Sequence, residues 1–454
     1  MHRKIRDRLQ LDRPLGFAVA TRVWQGISGP ITIVLLVQAL TLSEQGVYYA
    51  MIGIVGIQAY FELGLLNVLV SQSGHEMAAI RQLESDQNGE DSKDQLAHAS
   101  ARMRDLIRVS VIWFSLTSLL FTVFALAFGW YSLADSTVGW ERPLVALVPI
   151  AAFAVAVAPV ISILEGAGYR DFVYQFRFVQ MFFGSVVVWL SLLMGWKLWS
   201  LVASSTVQSV MAGYLLLFTA APFFRQFRGL SVKRSNFDWM REVLPVQWRV
   251  ALIGAMYHFA TQFFTIIVVM FHSDAEAGPL GMTLSVTTAI QMLALAWVQT
   301  KYSVVSAHHG SGERELAGTI WRQTAVVSTS LLLLGLGTLT ALIALLPLLP
   351  WDVASRFLSP WQVMVLSIGC VAGHLASLQG FYVLSRRAKP LLAASAVGFM
   401  STAIAVWMGG YFYSTNGVLL GYALAMALVL VPIHTVAYLQ FRQKSDVQVS
   451  SVTS

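Results

Sequence analysis

The chain has 454 residues, of which 56% are hydrophobic and 12% charged, with a mean hydropathy of +0.65 and a formal net charge of +7. A soluble domain carries about 25% charged residues, so this chain has too few to coat a water-facing surface, and a soluble enzyme or binding module is excluded. The positive charge does not mark a nucleic-acid partner, because the basic residues sit in short loops between apolar runs. The single cysteine, Cys370, excludes a disulfide framework and a multi-cysteine metal site and reads as a small buried hydrophobe.

A basic start, Met1 to Arg8, leads into an apolar stretch long enough to be a span rather than a cleaved leader. Runs of about 20 apolar residues qualify as membrane spans. They fall at 15–40, 46–72, 106–130, 143–166, 172–194, 198–222, 244–271, 278–303, 318–348, 358–384, 389–411 and 414–440. The expectation is an all-α membrane protein of about 12 transmembrane helices. Arginine and lysine crowd one side: Arg3 to Arg13, then Arg81 to Arg104, then Arg225 to Arg241, then Arg386 to Lys389, then Arg442 and Lys444. The other side has Arg142, Lys197 and Arg356. The positive-inside rule puts both termini in the cytoplasm of a multi-pass protein. The expected organisation is a cytoplasmic segment 1–14, a six-helix bundle 15–222, a cytoplasmic linker 223–243, a second six-helix bundle 244–440 and a tail 441–454.

The hydrophilic segments are too short for a nucleotide-sugar-binding domain of about 100 residues, and the acidic stretch from Glu84 to Asp94 reads as a solvated turn between helix extensions. The sequence carries no phosphate-binding glycine loop, catalytic triad or metal-ligand spacing, and no cofactor is expected. Energy for any transport must then come from an ion gradient, the membrane potential or the substrate itself.

Three sequence pairs relate the halves. Arg22 and Arg249 sit about two turns into spans 1 and 7. Ser-Glu44-Gln-Gly46 follows span 1, and Ala-Glu276-Ala-Gly278 follows span 7. Leu164-Glu165-Gly166 ends span 4, and Leu378-Gln379-Gly380 ends span 10. Partners lie six spans apart, which makes a parallel repeat and favours a transporter with its site near mid-membrane. Glu62, in span 2, costs at least about 2.5 kcal/mol in lipid unless paired or wet. It reads either as a proton or cation site or as a structural partner for Arg22. Two guanidiniums facing one cavity would suit a diphosphate through bidentate hydrogen bonds. Gln25, Gln58, Gln180, Gln208, Gln247, Gln262, Gln291 and Gln379 are either helix–helix glue or acceptors and donors for sugar hydroxyls. Gly26-Ile-Ser-Gly29-Pro30 predicts a hinge in span 1. Arg177 reads as an interfacial anchor, His258 and His374 as hydrogen-bonded core histidines, and His308-His309 as a solvated loop pair. Trp130, Trp140, Trp196, Trp199 and Trp351 read as an aromatic belt.

The order of four motifs resembles the polysaccharide transporter branch of the multidrug/oligosaccharidyl-lipid/polysaccharide exporter superfamily. They are Leu-Ser-Glu44-Gln-Gly46-Val-Tyr-Tyr, Phe-Glu62-Leu-Gly64-Leu, Leu164-Glu-Gly166-Ala-Gly168-Tyr-Arg170, and Asn416-Gly417-Val-Leu-Leu-Gly421-Tyr-Ala. The resemblance implies two six-helix bundles around a central cavity. It also implies translocation of an undecaprenyl-diphosphate-linked oligosaccharide across the bacterial inner membrane for surface polysaccharide such as lipopolysaccharide or exopolysaccharide. Its partners would be the lipid-linked sugar, membrane lipids, a polysaccharide polymerase and chain-length machinery. Arg22 and Arg249 would hold the diphosphate, Gln25 and Gln262 the sugar, and Glu62 would couple an ion or form a structural ion pair. A cation-coupled multidrug exporter of the same superfamily, and a membrane transferase acting on a polyprenyl-linked sugar, stand as alternatives.

Overall fold

Inside a bilayer no water is at hand for backbone N–H and C=O groups, so a spanning chain must bond them within itself. The computed structural model describes residues 13–62, 64–85, 90–227, 244–348, 353–386 and 391–453, and its regular elements are all helical. In chain order they are α1 (Arg13–Ala39), α2 (Leu42–Gly56), α3 (Gln58–Glu62), α4 (Leu65–Ser85), α5 (Glu90–Ser132), α6 (Glu141–Gly166), α7 (Arg170–Leu193) and α8 (Trp199–Tyr214). There follow α9 (Ala221–Arg225), α10 (Leu244–Thr261), α11 (Phe264–Phe271), α12 (Asp274–Gly310), α13 (Arg314–Leu345), α14 (Pro360–Ser385), α15 (Leu392–Ala425) and α16 (Val431–Thr453). A π turn joins α8 towards α9 at Leu215–Thr219, and another joins α15 to α16 at Met426–Leu430.

Among the described residues, nine helical stretches are long and apolar enough to cross a membrane, and two bent pairs bring the number to 11. One of the nine, Leu392–Gln443, is really two crossings. Its backbone leaves helical geometry at Tyr413 and Ser414, where Ser414 takes φ 51°. There the chain folds back so closely that a Cβ on Gly417 would lie 1.8 Å from the carbonyl oxygen of Gly409. The expected twelve crossings follow. Helix α5, with 43 residues, is about 65 Å long, twice the ~30 Å of hydrocarbon. Its first turns extend beyond the span and pair with α4 through Arg102 Nη2 and Glu76 Oε1 at 3.0 Å.

Packing divides the chain into two units. The first holds Met1–Ala39, Ile54–Tyr131 and Gly139–Gly254, and the second holds Leu40–Gly53, Ser132–Val138 and Ala255–Ser454. Within the first, α1 packs on α7, α7 on α8, α4 on α6, and α6 on α8. Within the second, α11 packs on α15, α12 on α13 and α14, and α14 on α16. Spans 1 and 5, 2 and 4, and 4 and 6 thus pair as spans 7 and 11, 8 and 10, and 10 and 12 do. The weak sequence repeat is a repeat of packing. The core of the first unit is built on Leu65, Leu69, Phe114, Val155, Ile163 and Leu164, all buried.

Lipid gives helices no hydrophobic reason to associate, so close packing through small residues has to supply the attraction. In the second unit the two hairpin glycines do this reciprocally. A Cβ on Gly46 would lie 1.9 Å from the oxygen of Asp274, and one on Gly278 would lie 2.6 Å from the oxygen of Leu42. Each glycine faces the carbonyl four residues before the other. Gln45, fully buried beside them, donates from Nε2 to the oxygens of Gly278 (2.7 Å) and Arg356 (3.2 Å).

Three expectations are corrected. Helix α1 runs through Pro30 as one helix, with Thr32 Oγ1 donating to the oxygen of Ser28 at 2.9 Å. The breaks lie elsewhere, at Gly64 (φ 65°) after α3 and at the 49° bend between α10 and α11. His308 and His309 are not a solvated loop pair. They end α12, where His308 pairs with Glu313 and half-buried His309 bonds Ser385 Oγ at 2.9 Å. Trp140 leaves the expected belt because it is buried, edge-on to Trp130 at 5.2 Å; Trp351 lies outside the described residues.

Because backbone atoms face the missing Cβ positions, Gly46→Val and Gly278→Val are expected to abolish most monodisperse protein in detergent. Overpacking alone costs about 1–3 kcal/mol. Gly337→Ala, with nothing within 4 Å, should elute as wild type. Size-exclusion profiles of the three variants check this.

Candidate functional site

The first unit holds α1 by its indoles. Trp24 Nε1 donates to Ser185 Oγ at 3.3 Å and Trp189 Nε1 to Thr32 Oγ1 at 2.8 Å, while Trp24 packs on Phe182 and Trp189. With this face fixed against α7, the opposite face of α1 is exposed and carries Arg22 and Gln25. One turn apart, they meet: Arg22 Nη1 donates to Gln25 Oε1 at 3.1 Å. The bond steadies the guanidinium without neutralising it, leaving a positive fork about 10 Å into the span.

Glu62 ends α3, half-buried, two residues before the break at Gly64. Its neighbour Phe61 is anchored on Phe121 and Phe124 at 5.6 and 6.0 Å. Arg22 and Glu62 form no ion pair with each other among the described residues, so the structural reading of Glu62 as the partner of Arg22 is not what this conformation holds. Arg249 lies on α10, and its side chain is outside the described residues, as is that of Gln247. Gln262 is exposed at the α10–α11 bend, its N–H bonded to the oxygen of His258 at 2.8 Å. Arg22 and Gln25 are therefore together, Glu62 is bonded to neither of them, and Gln262 belongs to the other unit.

Other polar groups resolve into structure. Arg177, expected as an anchor, pairs with Glu165 Oε2 at 2.8 Å and lies over Tyr174. Gln180 donates to the oxygen of Gln208 at 2.9 Å, and Gln208 to Ser204 Oγ at 3.0 Å, as interhelical and intrahelical glue. The Gly166-Ala-Gly168-Tyr-Arg170 turn is a packing device. A Cβ on Gly166 would sit 2.2 Å from the oxygen of Val70, and Gly168 takes φ 100°. Arg81 Nη2 then closes the end of α6 by donating to the oxygen of Ala167 at 2.7 Å.

The second unit contains a cavity of about 170 Å³, mostly apolar with a few polar groups, that the sequence did not reveal. Gln291, Cys370, Tyr422 and two histidines line it. His374 is the hydrogen-bonded core histidine expected, meeting Ser328 Oγ at 3.2 Å. His434, unremarked in the sequence, meets Ser395 Oγ at 2.8 Å. The cavity is large enough for several waters.

No protein-family model matches the chain, and no curated protein matches it. Solved structures do. The chain is similar to an inward-facing multidrug resistance MATE family transporter of the MOP superfamily, with a TM-score of 0.55 at 13% identity over 91% of this chain and 98% of that one. An outward-facing multidrug resistance MATE family transporter of the same superfamily gives 0.54 at 12% identity over 95% and 96%. A MOP superfamily transporter from Pyrococcus furiosus, whose reversed binding-pocket polarity suggests a different function, gives 0.55 at 13% over 95% and 96%. The chain has the fold of MOP superfamily transporters, which are multi-pass membrane proteins.

Removing one member of a buried hydrogen-bonded pair costs about 1–3 kcal/mol, and removing both is nearly neutral. His434→Leu should therefore lower the thermal midpoint in detergent, and Ser395→Ala combined with His434→Leu should regain most of the loss.

Proposed function

We propose that the protein is a flippase. It moves an undecaprenyl-diphosphate-linked oligosaccharide across the bacterial inner membrane by alternating access, with both termini cytoplasmic, to supply surface polysaccharide synthesis. The observation that carries this reading is the exposed, Gln25-steadied guanidinium of Arg22 deep in an apolar span. An uncompensated cation at that depth is costly, and a cation kept there is suited to an anionic substrate. Arg249, six spans later in the sequence, supplies the second guanidinium of a diphosphate clamp. Gln25 and Gln262 serve the sugar hydroxyls, while the isoprenoid tail stays in lipid. Glu62 competes with the diphosphate for the arginines or carries a coupling ion. The Pyrococcus protein supports reading the substrate by charge, since its reversed pocket polarity was linked to a different function.

Charge-assisted hydrogen bonds contribute about 1.5–3 kcal/mol each, so Arg22→Ala with Arg249→Ala should cut surface polysaccharide at least about tenfold in a flippase-deletion strain. Arg22→Lys keeps the charge but loses the fork, and should retain part of the function. Normal polysaccharide from the double variant at wild-type protein levels would overturn the diphosphate assignment.

The likeness to multidrug transporters favours a second reading, a cation-coupled drug exporter. On that reading, overexpression raises drug tolerance and Glu62→Gln abolishes it, while polysaccharide is unchanged. On the flippase reading, drug tolerance does not change.

A further inference from the structure

Each packed unit contains a groove, and the two are built alike. In the first unit α5, α6, the π turn Leu215–Thr219 and α9 enclose about 920 Å³. Arg104, Arg108 and Arg225 stand at one end. In the second unit α13, α14 and α16 enclose about 810 Å³, with Arg314, Arg322, Arg386 and Arg442 at the arginine-rich end. In span terms the walls are 3, 4 and 6 in one unit and 9, 10 and 12 in the other. Arg108 and Arg322 are separated by the same sequence offset as the repeat glycines Gly166 and Gly380. A π turn lies in the sixth span of each half, contributing Leu216 and Leu217 to one groove and running into Val431 of the other. π turns are rare and concentrate at functional sites. A chance crevice between helices would not recur with its arginines and its π turn in both halves.

The linings specify an amphipathic anion. Below the arginines the first groove is walled by Ile112 and Leu217, which are 51% and 64% exposed, so it opens to lipid. From Arg108 to Ser115 along α5 is about 10 Å, and from Arg314 to Ala325 along α13 about 16 Å. The second depth is about one leaflet of the ~30 Å hydrocarbon core and the first about two thirds of one. Among the described residues, Glu315 is the one carboxylate on either lining. In the second groove the buried atoms Arg386 Nη1 and Gln379 Oε1 have no hydrogen-bond partner among the described residues, although Arg386 Nη2 donates to Tyr382 Oη at 2.7 Å. A donor and an acceptor are thus available beside the arginine cluster. A free phosphate would satisfy the arginines and leave the walls empty, and a cationic drug would be repelled.

We propose that each groove binds an anionic glycerophospholipid from the leaflet at the arginine-rich end, its phosphate on the arginines and one acyl chain along the apolar wall. Basic pockets between transmembrane helices are suited to such headgroups. The two grooves share no lining residue with the Arg22–Gln25 pair, and the proposal does not depend on what the protein transports.

Native mass spectrometry of the full-length protein in detergent, titrated with phosphatidylglycerol or phosphatidylcholine, tests this. Two phosphatidylglycerol molecules should bind at about tenfold lower concentration than phosphatidylcholine. Arg108→Gln with Arg225→Gln should remove one, and Arg322→Gln with Arg442→Gln the other, while the corresponding lysine variants keep both with weaker retention. Equal binding of the two lipids by the wild type, which needs no variant to fold, would overturn the proposal. So would two retained phosphatidylglycerols in the fourfold variant. Displacement by millimolar inorganic phosphate would show a headgroup site without an acyl groove, and preferential displacement by a polyprenyl diphosphate would assign the grooves to that lipid instead.

Discussion

Close approach of backbones through glycine is the constraint on which the rest of this structure depends. Lipid is as apolar as leucine, so burying one helix face against another gains little from leaving the solvent, and dispersion contacts at short range must hold the helices together. Each unit meets that need where small residues stand. In the first, Gly166 lies against the backbone of Val70; in the second, Gly46 against Asp274, Gly278 against Leu42, and Gly409 against Gly417. Several hydroxyls then stay on their own helices. Ser73, Ser110 and Thr402 each return a hydroxyl to the carbonyl four residues back, so that they cost the lipid little.

The spans were legible because twenty apolar residues have few other uses, and the repeat was legible because Glu-x-Gly and Leu-x-Gly recur in order. What those motifs do was not legible. Gly46 and Gly278 read only as a matching pair in the repeat, and nothing in that pattern says that each lies against the carbonyl four residues before the other. The Pro30 reading failed for a definite reason: proline removes one hydrogen bond, and a helix held along one face by Trp24 and Trp189 tolerates that loss. The real breaks, at Gly64 and at Gln262–Phe263, carry a left-handed glycine in one case and no proline or glycine signal in the other.

The candidate site was half legible. A charged residue in an apolar run announces itself, so Arg22 and Glu62 stood out. Which neighbour each would choose did not follow from span geometry, since a partner one turn away on the same helix needs no tertiary contact and Gln25 supplied it. The cavity of the second unit escaped notice because its residues, Gln291, Cys370, Tyr422 and His434, are scattered over four helices and none is charged in the way that marks a membrane site.

Arg81 has a consequence in time as well as in space. As the chain is threaded into a bilayer, before any helix has found its neighbour, a basic residue near the end of a span biases which side that end keeps. Once folded, the same guanidinium donates to the carbonyl of Ala167, the residue that caps α6. One side chain therefore belongs to two successive selections, first on the orientation of a nascent chain and later on the stability of a finished one. A lysine there would meet the first demand as well as arginine does and the second less well, so the identity of the residue records folding history that the charge alone does not.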